Sequence, residues 1–289
     1  MVTVPPRSRF RPDSSILAEV FGRDARLRYD GAMDFGLTAL PAFRDNYIWL
    51  LQSPDGLAAV VDPGDAGPVR QALAARSLKL EAVLVTHHHA DHMGGAAELA
   101  REHGCPVYGP ATEHIEAVSI PLAEGADIRL PGLEARFRVL DIPGHTAGHI
   151  AFEGHGIMFC GDTLFSAGCG RLFEGTTGEM CASLAKLAAL SDDTAVCCGH
   201  EYTLANLRFA AAVEPDNRAI RDYAAECTAR RARGEPTLPA RLGRERQVNP
   251  FLRCRMTAVQ MAASRQAGKP LTNEVDVFAA IRKWKDGFS

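Results

Sequence analysis

The chain has 289 residues, 46% apolar side chains and a formal net charge of -3. That is room for one large or two modest domains around a sizeable core. The near-neutral balance argues against a bulk nucleic-acid binder, and no run of about eighteen apolar residues offers a membrane span.

Residues 1–32 begin rich in Arg and Pro, then alternate charges without an apolar face. An Arg-bearing, acid-poor start could be an organellar transit segment. Acidic residues soon appear and no amphipathic repeat follows, which favours an upstream start with Met33 as the natural beginning of the fold. Segments 37–41, 47–52 and 58–61 are short apolar runs parted by turn residues such as Ser53-Pro54-Asp55-Gly56, and read as strands. A helix over 68–77 and a buried strand over 81–85 follow.

That strand runs into Thr86-His87-His88-His89-Ala90-Asp91-His92, and an Ala-rich helix pattern begins at Met93. Four histidines and a carboxylate therefore sit at the carboxyl end of a strand, where α/β sheets place ligands. Imidazole and carboxylate are donors that divalent zinc and iron accept. His87 and His89 point one way from an extended segment, while Asp91 and His92 follow on a tighter turn. Two ligand sets from one loop predict two adjacent metals. His88 is the spacer of His-x-His and is expected to point away from them and to tolerate replacement.

Strands are predicted at 106–109, 128–130 and 137–142. Three later apolar runs end as the first did, in Pro143-Gly144-His145, Gly161-Asp162-Thr163 and Gly199-His200-Glu201. A Gly before each candidate ligand lets the chain turn sharply. Helices are predicted at 204–213, 218–231, 257–264 and 275–284, with a linker at 234–239. The chain divides into an extension (1–32), a region that carries the candidate ligands (33–200) and a mostly helical region (201–289). Arg230, Arg231, Arg233, Arg241, Arg244 and Arg246 are broken up by Glu235 and Glu245 and read as a solvated surface. The eight cysteines show no paired spacing, and several lie in apolar runs as small core residues. With no signal peptide in view, that usage points to a reducing compartment.

Seven candidate ligands suffice for two ions. His87, His89 and His145 would hold the first, Asp91, His92 and His200 the second, and Asp162 would give one oxygen to each. Ions so held lower the pKa of a bound water towards neutrality and polarise a carbonyl. That is hydrolysis without a Ser or Cys nucleophile, in which Asp91 both ligates and orients the water. Cys169 lacks a partner base and is set aside as a nucleophile.

The order His-x-His-x-Asp-His, then His, Asp and His, resembles the metallo-β-lactamase superfamily, which implies an α+β fold, an αββα sandwich, here with a C-terminal helical domain. Within it the chain resembles the glyoxalase II (hydroxyacylglutathione hydrolase) family. The closer match rests on Phe43-Arg44-Asp45-Asn46-Tyr47, Gly161-Asp162-Thr163-Leu164-Phe165, Gly168-Cys169-Gly170-Arg171-Leu172-Phe173-Glu174-Gly175, Gly199-His200-Glu201-Tyr202-Thr203, Asn249-Pro250-Phe251-Leu252-Arg253 and the closing Arg282-Lys283-Trp284-Lys285-Asp286. It extends from about residue 33 to the C-terminus, and implies a catalytic domain over 33–200 and a helical, substrate-binding domain over 201–289.

The resemblance implies hydrolysis of S-D-lactoylglutathione to D-lactate and glutathione by a cytoplasmic monomer carrying two divalent ions, Zn2+ first, with Fe or Mn accepted. No nucleic-acid or membrane partner is implied. Glutathione carries two carboxylates, and the family's positions assign Arg171, Tyr202, Arg282 and Lys285 to holding it. Phe173 stands where some relatives have Tyr. The rival enzyme is a persulfide dioxygenase with one iron on two His and one Asp, which also reads a glutathione derivative. A metal-stripped binding module is a third reading. Such proteins lose ligands, and this chain keeps all seven.

Overall fold

The computed structural model describes residues 35–288, so the extension at 1–32 and the start at Met33 lie outside the described residues. Two six-stranded sheets stack face to face. The first holds β1 (Gly36–Ala42), β2 (Asn46–Gln52), β3 (Leu57–Val61), β4 (Lys79–Leu84), β5 (Val107–Pro110) and β6 (Ile120–Leu122) in sequential order. The second holds β7 (Asp127–Leu130), β8 (Ala135–Asp141), β9 (Ile150–Gly154), β10 (Ile157–Gly161), β13 (Ala195–Cys198) and β14 (Ala240–Arg241), ordered β14-β13-β10-β9-β8-β7. A separate hairpin, β11 (Leu164–Phe165) with β12 (Gly168–Cys169), emerges after β10.

Alternation within single strands sorts the core. From β2, Tyr47, Trp49 and Leu51 face the second sheet, where Phe137, Phe152 and Phe159 are fully buried. Burial of each such ring stabilises by roughly 1.5–3 kcal/mol. The intervening Ile48 and Leu50 pack under helices α1 (Ala66–Arg76) and α3 (Ala96–His103) on the outer face. On the far side, α4 (Thr177–Ala188) buries Met180, Leu184 and Leu187 against the second sheet. The layering is αββα.

Strand direction gathers the site. β3 and β4 are parallel, and β10 and β13 are parallel; β8 runs with β10 because both are antiparallel to β9. The carboxyl ends of β8, β10 and β13 therefore open on one edge, and each continues into a candidate ligand.

Beyond β13 the chain is mostly helical: α5 (Thr203–Val213), α6 (Arg218–Ala232), α7 (Leu242–Val248), α8 (Thr257–Ala267) and α9 (Glu274–Asp286). Among the described residues, no helix is long and apolar enough to cross a membrane. The cysteines are free, and six of the eight are buried, as their apolar settings predict.

Several elements differ from expectation. The helix predicted from Met93 is split into a one-turn α2 (Ala90–Met93) and α3. Gly94 and Gly95 separate them because a Cβ there would lie 2.6 Å from the Gly64 oxygen and 2.5 Å from the Ala66 nitrogen. Strands β6, β9 and β14, the hairpin, and helices α4 and α7 were not predicted. Glu245 is no surface residue. It is fully buried and takes hydrogen bonds from Ser166 Oγ (2.9 Å) and the Ala167 N–H (2.6 Å).

Candidate metal centre

Each loop that carries candidate ligands follows a strand end. The turn after β4 presents His87 from a bend and His89 from extended backbone, and α2 carries Asp91 and His92. His145 follows β8, while Asp162 and His200 follow the parallel pair β10 and β13. Gly199 must be Gly: a Cβ would stand 2.5 Å from the His92 ring and 2.7 Å from Asp162 Oδ1.

The inward atoms converge in two groups. His89 Nδ1 lies 3.2 Å from His87 Nε2 and 3.0 Å from His145 Nε2. His92 Nε2 lies 3.3 Å from His200 Nε2, with Asp91 Oδ2 3.4 Å from the latter. The triads His87/His89/His145 and Asp91/His92/His200 each bring their donor atoms within 4.8 Å of one another. Asp162 joins them: Oδ2 is 3.5 Å from His145 Nε2 and 3.3 Å from His200 Nε2, while Oδ1 is 3.3 Å from His92 Nε2.

The outer nitrogens show what the inner ones can do. His92 Nδ1 meets Asp62 Oδ2 at 3.0 Å, His200 Nδ1 meets Asp45 Oδ1 at 2.9 Å, and His145 Nδ1 meets the Arg171 carbonyl at 2.9 Å. Thr86 Oγ1 gives its proton to Asp62 Oδ2, so it accepts from His87 Nδ1 at 3.0 Å. All four outer nitrogens face acceptors and carry protons, which leaves Nε2 lone pairs aimed inward. Asp162 Oδ1 is buried and has no hydrogen-bond partner. Converging lone pairs around an unpartnered carboxylate oxygen are a donor set for cations. The residues fit divalent metals.

Electrostatics agree. Burial works against charge on His92, but Asp162 and Asp62 beside it lift its pKa well above the usual value. His200 is pushed up to about 10 in the same way, burial being outweighed by Asp162 and Asp91. Burial, with His92 and His149 adding to it, holds His87 far below. Asp162 is lowered despite its burial by His92 and His200, and Asp91 is lowered chiefly by its His200 hydrogen bond. The carboxylates demand positive charge that protons or metals must supply.

Four residues around this centre were not anticipated. Asp62 and Asp45 orient ligands as described. Asn46 Nδ2 donates to Asp91 Oδ2 at 2.9 Å. His149, fully buried, stacks on His87 (4.5 Å, 17°) and accepts the Asp162 N–H at 3.2 Å. Their signals were present as the strand-end Asp62-Pro63-Gly64, the Arg44-Asp45-Asn46 stretch, and the second His of the loop after β8.

The residues assigned to glutathione fall in two classes. Tyr202 stacks flat on His200 (4.7 Å, 3°), and the exposed Phe173 ring stands edge-on to His145 (5.2 Å) and His89 (5.7 Å). The Arg171 side chain is largely exposed, 3.8 Å from Asp286 Oδ1. Arg282 differs: it is buried, donating from Nη1 to the Cys169 carbonyl (2.9 Å) and from Nη2 to Asp286 Oδ1 (2.9 Å), with its guanidinium over Phe251. Lys285 is half-buried beside Phe209 and Phe288, and its Nζ reaches the Ala205 carbonyl at 3.3 Å. Burial, with Arg282 and Arg208 adding to it, pushes Lys285 down to about 8. Cys169 is buried and its thiol is pushed up to about 11, so it is no nucleophile.

Known proteins share these features. The family described as "Metallo-beta-lactamase superfamily" matches residues 42–200, and "Hydroxyacylglutathione hydrolase C-terminus" matches 201–288. A hydroxyacylglutathione hydrolase of Alkalilimnicola ehrlichii is 57% identical over 86% of this chain and 98% of its own length. One from Nitrosomonas europaea is 50% identical over 86% of this chain and 94% of its own length. Among solved structures, the BLEG-1 B3 metallo-β-lactamase superposes with a TM-score of 0.56 at 22% identity, over 75% of this chain and 99% of that one, and bears on the fold alone. With its fold, its paired His/Asp triads and relatives matched over nearly their full length, the chain belongs to the hydroxyacylglutathione hydrolase family of the metallo-β-lactamase superfamily.

Proposed function

We propose that this chain is a thioester hydrolase converting S-D-lactoylglutathione and water to D-lactate and glutathione. The observation that carries the reading is the pair of convergent triads joined by Asp162. His87, His89 and His145 would hold one divalent ion, Asp91, His92 and His200 the other, with Asp162 between them. Zinc is our first assignment, and iron or manganese suit the same donors. The ions, when bound, would supply Lewis acidity to the thioester carbonyl and lower the pKa of water.

The chain's own groups do the rest. Asp91, held ionised and fixed by Asn46, orients the attacking water. Phe173 and Tyr202 wall the site beside the two triads. Arg171 and Lys285 offer cations to the two glutathione carboxylates. Buried Arg282 braces the Cys169 carbonyl of the loop that leads to Arg171, as well as adding charge. In this reading residues 33–200 form the catalytic domain, residues 201–289 the substrate-binding domain, and the protein acts as a cytoplasmic monomer.

The complete second triad favours the hydrolase over a mononuclear dioxygenase. Metal analysis of the purified protein, with assays on S-D-lactoylglutathione and on glutathione persulfide, tests this. Two ions per chain and thioester cleavage are expected. One iron with oxygen consumption on the persulfide would overturn it.

A further inference from the structure

His88 does point away from the two triads, as its spacer position predicts, but it does not point into solvent. Its Nδ1 lies 3.1 Å from Glu113 Oε2 and its Nε2 lies 3.2 Å from Glu174 Oε1. Each carboxylate uses its other oxygen on the residues just after His145. Glu113 Oε1 accepts from Thr146 Oγ1 and from the Gly148 N–H (3.2 Å). Glu174 Oε2 accepts the Ala147 N–H at 2.9 Å. Three consecutive residues following a candidate ligand are thus held by two glutamates, and one imidazole faces both.

Glu113 is not an ordinary surface charge, whereas Glu174 is partly open to solvent. The Glu113 side chain is only 3% exposed, and its Oε2 is buried without a hydrogen bond of good geometry. A buried carboxylate is costly unless a charge or donor faces it, and the His88 ring stands there. Glu174 lies on a strip that runs beside the same loop: the Phe173 N–H reaches the His145 carbonyl at 3.3 Å and the Gly175 N–H the Gly144 carbonyl at 3.2 Å. Gly148 packs against the same glutamate, since a Cβ there would stand 2.5 Å from Glu113 Cγ.

We propose that His88 is a positioning residue which, by holding Glu113 and Glu174 together, fixes residues 144–148 and so the direction in which His145 presents its Nε2. The middle histidine of the motif then serves the first triad from outside it. Substitution of His88 loosens the ion on His87, His89 and His145, and leaves the Asp91/His92/His200 triad as it is.

The test is zinc retention by the full-length, zinc-loaded protein in graded chelator, read as zinc per chain for the parent, His88→Ala, His88→Gln, Glu113→Gln and the double variant His88→Ala/Glu113→Gln. His88→Ala and Glu113→Gln should each give up one zinc at about tenfold lower chelator, the low end of the range for groups that orient ligands. The double variant should be no worse than the poorer single one, because both cut the same link. His88→Gln, which keeps one donor nitrogen in place of two, should fall between. Thermal melts of the metal-free forms identify any variant that fails to fold, and His88→Gln then carries the comparison. Zinc retention in His88→Ala equal to the parent, or losses that multiply in the double variant, overturns the proposal. The substrate does not enter this experiment, so its outcome is separate from that of the thioesterase assay.

Discussion

Arg282 and Lys285 lie one turn apart on α9, and both are assigned to the substrate by resemblance, yet their surroundings predict opposite failures. Arg282→Ala removes a buried guanidinium with hydrogen bonds to the Cys169 carbonyl and to Asp286, and leaves the Phe251 ring uncovered. Asp286 is half-exposed and can turn to water, so its bond counts for little. The buried bond to a charged donor is worth about 1.5–3 kcal/mol, and the ring contact adds about 0.5–1 kcal/mol. A total of roughly 2–4 kcal/mol corresponds to a melting point lower by roughly 4–16 °C in a chain of this size. The damage also spreads: Cys169 is two residues from the Arg171 carbonyl that holds His145 Nδ1. Arg282→Ala should therefore lower kcat as well as raise KM. Lys285→Ala loses one long hydrogen bond and two distant ring contacts, offset by relief of a half-buried amine, and should melt closer to the parent than Arg282→Ala while KM for a glutathione thioester rises. Differential scanning calorimetry with Michaelis kinetics reads both variants. An Arg282→Ala protein that melts within about 2 °C of the parent with unchanged kcat refutes the structural role drawn from the contacts.

Asp162→Asn should cost both ions, because a neutral amide cannot give an anionic oxygen to each triad; metal content by elemental analysis checks it, and two retained ions with full activity would remove Asp162 as the bridge. Lys285 with a pKa of about 8 is charged below that pH and neutral above it, so its grip on a carboxylate weakens as pH rises. KM for S-D-lactoylglutathione should climb through pH 8 in the parent, and Lys285→Arg, which stays charged, should flatten that climb; identical pH profiles would dissociate Lys285 from the substrate.

The candidate ligands were legible as a group because each loop that carries them follows an apolar run, and apolar runs at strand length are visible in a linear sequence. Their supports were not. Asp45 meets His200 across 155 positions and Asp62 meets His92 across 30, and nothing local distinguishes such a carboxylate from a solvated one. Glu245 misled for the same reason: Arg241, Arg244 and Arg246 beside it made it look superficial, although it is buried against the hairpin. Helix α4 carries a readable start in the pattern Thr-x-x-Glu, since Thr176 and Glu179 form a capping box with the reciprocal hydrogen bonds. Strand β9 has only five residues beside a Gly-His-Gly turn and offers too few positions for alternation to stand out.

The hairpin of β11 and β12 carries no ligand, yet its polar backbone is satisfied from elsewhere. Asn249 donates to the Phe165 and Gly168 carbonyls, Asn206 to the Ser166 carbonyl, Arg282 to the Cys169 carbonyl, and Glu245 takes the Ala167 N–H. These four side chains all come from beyond His200. A chain cut after His200 would keep the seven candidate ligands and lose the groups that close this loop between Asp162 and Arg171. The hairpin of the first module is thus completed by side chains of the second, so a helical half taken from a homologue should seat against it only if it carries equivalents of those four groups.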